Sequence, residues 1–218
     1  NRMYRIRLTL TKKAGHLTFD YRGTDRQAPA MVNCTRMGLE GGIISAVLPT
    51  MCYDMPWSPG SIQDAITVLS DEGTLVHAKH PAGVGQGPTG SIYMSGHLAC
   101  SAIAKMYCAS KGYRQEVQAM WAPSWKGEII AGANNRGEYF TANLLDQSGG
   151  AGARAYKDGM DSGGIYGAPR QAIANAELYE QLYPIMYVYR KHCPDTAGPG
   201  KYRGGVGMET MIVPHKAV

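Results

Sequence analysis

Residues 148–169 read SGGAGARAYKDGMDSGGIYGAP, and this stretch constrains the fold more than any other. It holds seven glycines: Gly149, Gly150, Gly152, Gly159, Gly163, Gly164 and Gly167. A glycine costs roughly 0.5–1 kcal/mol in a regular element and admits backbone angles that other residues avoid. The stretch therefore predicts a long, shaped loop rather than a helix or strand. Between the glycines stand Arg154, Lys157, Asp158 and Asp161, with almost no apolar filler. A loop this long in a compact chain is usually functional or disordered. Strand-like apolar segments flank it on both sides and favour function.

Composition narrows the class. At 218 residues the chain can bury a sizeable core. Its hydrophobic fraction of 44% is that of a soluble globular protein. The 28 glycines and 14 tyrosines suggest strands and turns, not a helical bundle. The formal charge of +5 is modest and no run of five basic residues occurs, so nucleic acid is not an expected partner. No apolar run approaches the 18 residues of a membrane span. Cys34, Cys52, Cys100, Cys108 and Cys193 are odd in number and scattered, with no C-x-x-C. Reduced thiols in a cytoplasmic protein are expected, not a disulfide framework or a thiolate zinc site. The chain opens on Asn1 and runs at once into an alternating pattern, which reads as the C-terminal part of a longer polypeptide.

Along the chain, residues 2–10 alternate as a half-buried strand, 12–15 supply a turn, and 17–21 complete a hairpin. A helix is expected over 33–51, capped by Asn33 or Thr35, with Met37, Gly41, Ile44 and Leu48 on one face. Pro56, Pro59 and Gly60 break the chain. Strands are expected at 66–69, 74–77, 116–120, 128–131 and 139–145. A glycine-rich loop at 80–90 leads into a helix over 91–109. Its small-residue face, Met94, Leu98, Ser101, Ala102, Lys105, Met106 and Ala109, is suited to close packing. After the central loop come a short helix at 175–182, a strand at 185–189, a turn-rich loop at 193–205 and a last strand at 209–213. No linker composition separates these elements, so the sequence reads as one mixed α+β domain over 1–218.

Most motif matches are weak. Gly85, Gly87 and Gly90 satisfy G-x-G-x-x-G before a helix, but no apolar strand precedes them and position 105 is a lysine where an acid belongs. Free N–H groups at the start of that helix could still hold an anion. His77 and His80 would face opposite sides of a strand, and no third ligand is near in sequence. His97 is expected to be packed. The central loop is more promising. Arg154 and Lys157 can hold a carboxylate, bicarbonate or phosphate. Asp158 and Asp161 can orient those cations, bind a cation or act as acid and base. Alternatively, Arg154–Asp158 and Lys157–Asp161 are salt bridges that fix the loop's shape.

Four ordered segments resemble the C-terminal half of the hydantoinase B family. They are Phe19-Asp20-Tyr21-Arg22-Gly23-Thr24 with Asn33-Cys34, then Glu72-Gly73-Thr74-Leu75 with His80-Pro81. Gly149 to Arg154 with Asp158-Gly159 follow, and last Asp195-x-Ala197-Gly198-x-Gly200-Lys201-Tyr202-Arg203-Gly204-Gly205. The family includes ATP-dependent hydantoinases and oxoprolinases and the acetone and acetophenone carboxylases. Where amide-hydrolysing members resemble H-x-H-M-x-N, this chain has Ile165-Tyr166-Gly167-Ala168-Pro169-Arg170-Gln171. Residues 175–191 and Val213-Pro214-His215-Lys216 look like the ketone-carboxylase branch. The resemblance implies an α+β part of a larger subunit in an ATP-dependent ketone carboxylase, with a lactam or hydantoin hydrolase or a non-catalytic structural half as alternatives. It implies a hydantoinase A-like ATPase partner holding ATP with Mg or Mn, the N-terminal part of the same subunit, and a small accessory subunit. The family's metal-binding residues are implied to lie in that N-terminal part, so no metal ligand is carried onto this chain. On this reading Arg154, Asp158 and Asp161 are candidate catalytic groups. Lys157, Arg170 and Asn33 are candidate substrate-binding groups.

Overall fold

The structure, a computed structural model, describes residues 2–56, 58–121, 126–166, 168–169 and 173–217. The fold is α+β, and the chain divides into two compact units, Asn1–Pro123 and Ser124–Val218.

Unit 1 starts with a hairpin, β1 (Thr9–Lys13) and β2 (His16–Asp20), paired antiparallel. Ala14 and Gly15 both adopt positive φ, 49° and 81°. That is the twist a two-residue hairpin turn demands. The expected first strand begins late, because residues 2–8 find other partners. The Arg5 N–H donates to Asp25 Oδ2 (2.9 Å), the Asp25 N–H donates to the Arg5 carbonyl (3.0 Å), and the Arg7 N–H donates to Thr24 Oγ1 (3.1 Å). The third strand, β3 (Ile66–Leu69), lies parallel to β2. Parallel pairing needs a long crossover. Two helices supply it: α1 (Arg36–Met51) and α2 (Pro59–Ala65). Pro59 does not merely break the chain. It starts α2, where its missing N–H costs nothing.

Thr35, not Asn33, caps α1, its Oγ1 accepting from the Gly38 N–H at 3.1 Å. The buried face is also different from the expected one. It comprises Leu39, Gly42, Ile43, Ala46 and Val47, while Met37 is 67% exposed. Glycine decides this orientation. A Cβ on Gly42 would lie 2.7 Å from the carbonyl oxygen of Ile92, and one on Gly96 would lie 2.9 Å from that of Gly42. Here α1 meets α3 (Ser91–Ala109) backbone to backbone, so both helices must turn their glycines inward. The face of α3 expected to pack, from Met94 to Met106, therefore turns away. Ser95, Gly96, Ala99, Cys100 and Ile103 are buried instead. The wholly buried Tyr21 donates to the Ser95 carbonyl at 2.7 Å and joins the sheet to α3.

Two expected strands of unit 1 are not strands. Residues 74–77 form a bridged turn whose N–H and carbonyl groups bond to Asp25 and Cys34. Arg114–Glu116 is a 3-10 turn, and only an isolated bridge follows at Gln118.

Unit 2 is built from hairpins. β4 (Lys126–Ala133) pairs with β5 (Tyr139–Gln147), β6 (Gly164–Ile165) with β7 (Ala168–Pro169), and β8 (Ile185–His192) with β9 (Met208–Pro214). Between them lies α4 (Ala176–Leu182), capped as Asn175 Oδ1 accepts from the Leu178 N–H at 3.0 Å. Ala142, Leu144 and Ile185 form the core here, packed by Ile130, Phe140, Tyr179, Tyr183, Tyr187 and Ile212.

The helix crossing gives a paired test. Gly96→Ala should destabilise the protein by about 1–3 kcal/mol through overpacking. Gly41→Ala, with open space around its Cβ, should be neutral or stabilising by up to about 1 kcal/mol. Urea denaturation of both variants measures this, and equal effects would contradict the packing described.

Candidate functional site

The central loop does not stand alone. It is interlocked with the loop joining β8 to β9, and the lock is made of backbone. A Cβ on Gly150 would enter the carbonyl of Gly205, one on Gly159 the carbonyl of Ala151, and one on Gly205 the carbonyl of Met160. Only glycine permits such an approach. The close peptides are then hydrogen bonded. The Ala151 N–H donates to Met160 O (2.9 Å), that of Gly205 to Ala151 O (2.9 Å), that of Gly159 to Arg203 O (2.8 Å), and that of Ser162 to Val206 O (2.9 Å). At the base, the Gly164 N–H donates to Ser148 Oγ at 2.8 Å.

This seam fixes the aspartates. Asp161 Oδ1 accepts from Arg203 Nη1 at 2.8 Å and from the Val206 N–H at 2.9 Å, and its Oδ2 accepts from Arg203 Nη2 at 3.3 Å. Those donors favour the charged form and hold its pKa down at about 2. Asp158 Oδ1 accepts from the Arg203 N–H at 2.9 Å, and its Oδ2 lies 3.9 Å from Arg203 Nε. Both carboxylates thus serve Arg203, and the alternative pairing within the loop, Arg154–Asp158 and Lys157–Asp161, is not what the structure builds. In the sequence Arg203 stands only within the last family-like motif, with no site role attached. The separations of 45 and 42 residues lie beyond any local rule, although two acids among glycines and an arginine before Gly204-Gly205 are its trace.

The cations of the loop are left outward. The Arg154 N–H donates to the Lys157 carbonyl at 2.9 Å, closing a tight turn with Tyr156 at its tip. Arg154 Nη1 reaches Tyr156 Oη at 3.4 Å, and Lys157 Nζ stands 5.8 Å from the centre of the same ring. Both side chains are exposed, and neither pairs with a carboxylate among the described residues. A guanidinium fork and an ammonium on one short turn suit a planar or tetrahedral anion.

Asn33 is fully buried in unit 1. Its Oδ1 accepts from the Ala28 N–H (2.7 Å), and its Nδ2 donates to the carbonyls of Ala30 (2.8 Å), Gly83 (2.9 Å) and Ala28 (3.0 Å). The amide thus holds residues 28–33 against the 80–90 loop. Arg170 lies outside the described residues, as do Gly167 and Gln171 of the same segment. The start of α3, a possible anion site by sequence, is closed from within: the Ser91 N–H donates to Val32 O (3.3 Å) and that of Ile92 to Gly87 O (3.1 Å). His77 Nδ1 is bonded to Ser70 Oγ at 3.1 Å. His97 is buried, and burial pushes its pKa down.

The profile of the Hydantoinase B/oxoprolinase family matches residues 1–217. This chain belongs to that family. It is 26% identical over 212 residues to the acetophenone carboxylase delta subunit of Aromatoleum aromaticum, covering 95% of this chain and 30% of that one. It is likewise 26% identical over 203 residues to caprolactamase subunit beta of Pseudomonas jessenii, covering 87% and 32%. The chain therefore spans about a third of the length of these relatives. Among solved structures, nucleotide-free acetone carboxylase superposes with a TM-score of 0.84 at 21% identity, over 99% of this chain and 28% of that one. ATP-dependent caprolactamase from Pseudomonas jessenii gives 0.80 at 22%, over 96% and 35%. These two likenesses establish the shared fold.

The Asp161–Arg203 contact predicts an acid dependence. Its native pKa of about 2 lies below the ordinary 3.8, so the stabilisation is complete above about pH 5 and is lost as pH falls toward 2. Asp161→Asn should lower the melting temperature at pH 7 and flatten its fall below pH 4. Calorimetry across that range checks it, and an unchanged profile would show that Asp161 is not held as described.

Proposed function

We propose that this family member is part of a subunit of an ATP-dependent ketone carboxylase, and that it presents Arg154 and Lys157 to a bicarbonate-derived or substrate carboxylate. The observation that carries this is the pairing of Asp158 and Asp161 with Arg203, which leaves two cations outward on a turn braced by the glycine seam. In this reading Asp158 and Asp161 act on the reaction by holding the loop. Arg154 and Lys157 contact the anion, and Arg170 of the same segment adds a further cation. ATP, with Mg or Mn, is held mainly by a hydantoinase A-like partner in the cytoplasm, and that partner activates bicarbonate and the ketone. The present chain is active only in the assembled complex. Support for the carboxylase branch comes from the likeness to the acetophenone carboxylase delta subunit and from residues 165–171, where Ile165 and Tyr166 begin a segment lacking the two histidines of H-x-H-M-x-N.

A second reading, ATP-dependent lactam opening, is favoured by the equal identity to caprolactamase subunit beta. Its product also carries a carboxylate, so the same cation pair suits it.

The test uses the complete protein with its partner subunits, ATP, labelled bicarbonate, and acetone, acetophenone or caprolactam as substrates. ATP-dependent fixation of label into a ketone is expected, and lactam opening without fixation would select the second reading. Arg154→Ala removes a charge-assisted contact contributing roughly 1.5–3 kcal/mol. Turnover should fall about ten- to a hundredfold, since each 1.36 kcal/mol is tenfold in rate. The melting temperature should stay put. A lowered melting temperature with normal turnover would make Arg154 a strut and this part of the subunit structural.

A further inference from the structure

The loop joining β8 to β9 carries the last of the ordered motifs, and hydrogen bonds close it in two stages. At its base the Cys193 N–H donates to Gly207 O (2.9 Å), while Thr196 Oγ1 donates to Cys193 O (2.7 Å) and accepts from the Gly207 N–H (3.0 Å). At its neck the Gly204 N–H donates to Gly198 O at 2.9 Å. Between the two sides of the neck stands a short tip, Pro199-Gly200-Lys201-Tyr202-Arg203. Arg203 folds in onto Asp158 and Asp161, and Lys201 stays exposed. Lys201 Nζ lies 5.4 Å from the centre of the Tyr202 ring and meets no carboxylate among the described residues.

The seam brings this tip to the turn of Arg154 and Lys157. The Gly159 N–H donates to Arg203 O and the Ser162 N–H to Val206 O, an equal step on each side, so 159–162 and 203–206 run in the same direction. The residues that precede them, 154–157 and 199–202, therefore meet at one end of the seam. The Arg203 N–H on Asp158 Oδ1 joins the two there. Lys157 is one residue from that contact and Lys201 two, no more than about 7 Å of chain. Charge then decides what the paired tips suit. Residues 154–161 and 199–203 hold four cations, Arg154, Lys157, Lys201 and Arg203, and two carboxylates, Asp158 and Asp161. Both carboxylates are committed to Arg203, so a surplus of two positive charges remains. A single carboxylate or bicarbonate balances one of them, and a doubly charged oxyanion balances both.

We infer that Lys201 is a third contact of the anion site, and that the two tips together bind a doubly charged oxyanion, a phosphoryl group or a substrate bearing two carboxylates. The inference rests on the reading of Arg154 and Lys157 as anion contacts, and it adds Lys201 and the charge of the ligand.

Lysine acetylation read by mass spectrometry tests this without turnover. The complete protein, purified with its partner subunits, is labelled in inorganic phosphate, malonate, acetate or chloride at one ionic strength. Phosphate or malonate should slow labelling of Lys157 and Lys201 together, while acetate and chloride should not, and the exposed Lys12 should be indifferent to all four. Protection by phosphate alone assigns a phosphoryl group, and by malonate alone a substrate with two carboxylates. Arg154→Ala should abolish protection at both lysines. Lys201→Gln should raise the anion concentration needed to protect Lys157 about tenfold, with the melting temperature unchanged. Protection of Lys157 without Lys201, equal protection by acetate, or an unchanged midpoint in Lys201→Gln would overturn the inference and leave the single-anion reading standing. A Lys201 that does not react in chloride is covered by another chain, which overturns it too. Protection of neither lysine by any anion would overturn both readings, and equal slowing of Lys12 would show an adventitious ion only.

Discussion

The contact of bare backbone between the loops 148–164 and 193–207 is the constraint on which the candidate site depends. Peptide groups at Gly150, Gly159 and Gly205 approach carbonyls so closely that no Cβ fits. Each close approach stands beside a backbone hydrogen bond, so the cost of ordering many glycines is offset by satisfied donors and acceptors. Without the lock, two glycine-rich loops would have little reason to keep one shape. With it, they become a frame as definite as a strand pair.

The electrostatics follow from the frame. Arg203 is delivered across the seam to Asp158 and Asp161, and its fork neutralises a pair of acids that would otherwise meet the nearby cations. The consequence is a division of labour. Asp158, Asp161 and Arg203 hold shape, while Arg154, Tyr156 and Lys157 face outward on a turn closed by one backbone hydrogen bond. Unit 1 uses the same physics differently. Gly42 and Gly96 bring two helices into backbone contact, and the amide of Asn33 closes a loop against three carbonyls.

Much of this was legible in the sequence. The glycine count of 148–169 announces a long shaped loop, Asn175 marks the start of α4, and the ordered motifs from Phe19 to Gly205 point to the family whose profile spans the chain. What failed did so for identifiable reasons. The inward faces of α1 and α3 differ from the expected ones, Met37-Gly41-Ile44-Leu48 and the small-residue face from Met94 to Ala109, because the close crossing is set by Gly42 and Gly96, and helical spacing does not tell one glycine or small-residue face from another. Residues 2–8 alternate like a strand but bond to the turn at Thr24 and Asp25. The partner of Asp161 lies 42 residues away, and only the fold brings it there.

Amide hydrogen exchange tests the central claim directly. On the complete protein, the N–H groups of Ala151, Gly159, Ser162 and Gly205 should exchange slowly and as one cooperative block, despite lying in loops. Gly205→Ala should release all four together. Exchange at the rate of exposed loop amides, or independent exchange at the four positions, would contradict the lock.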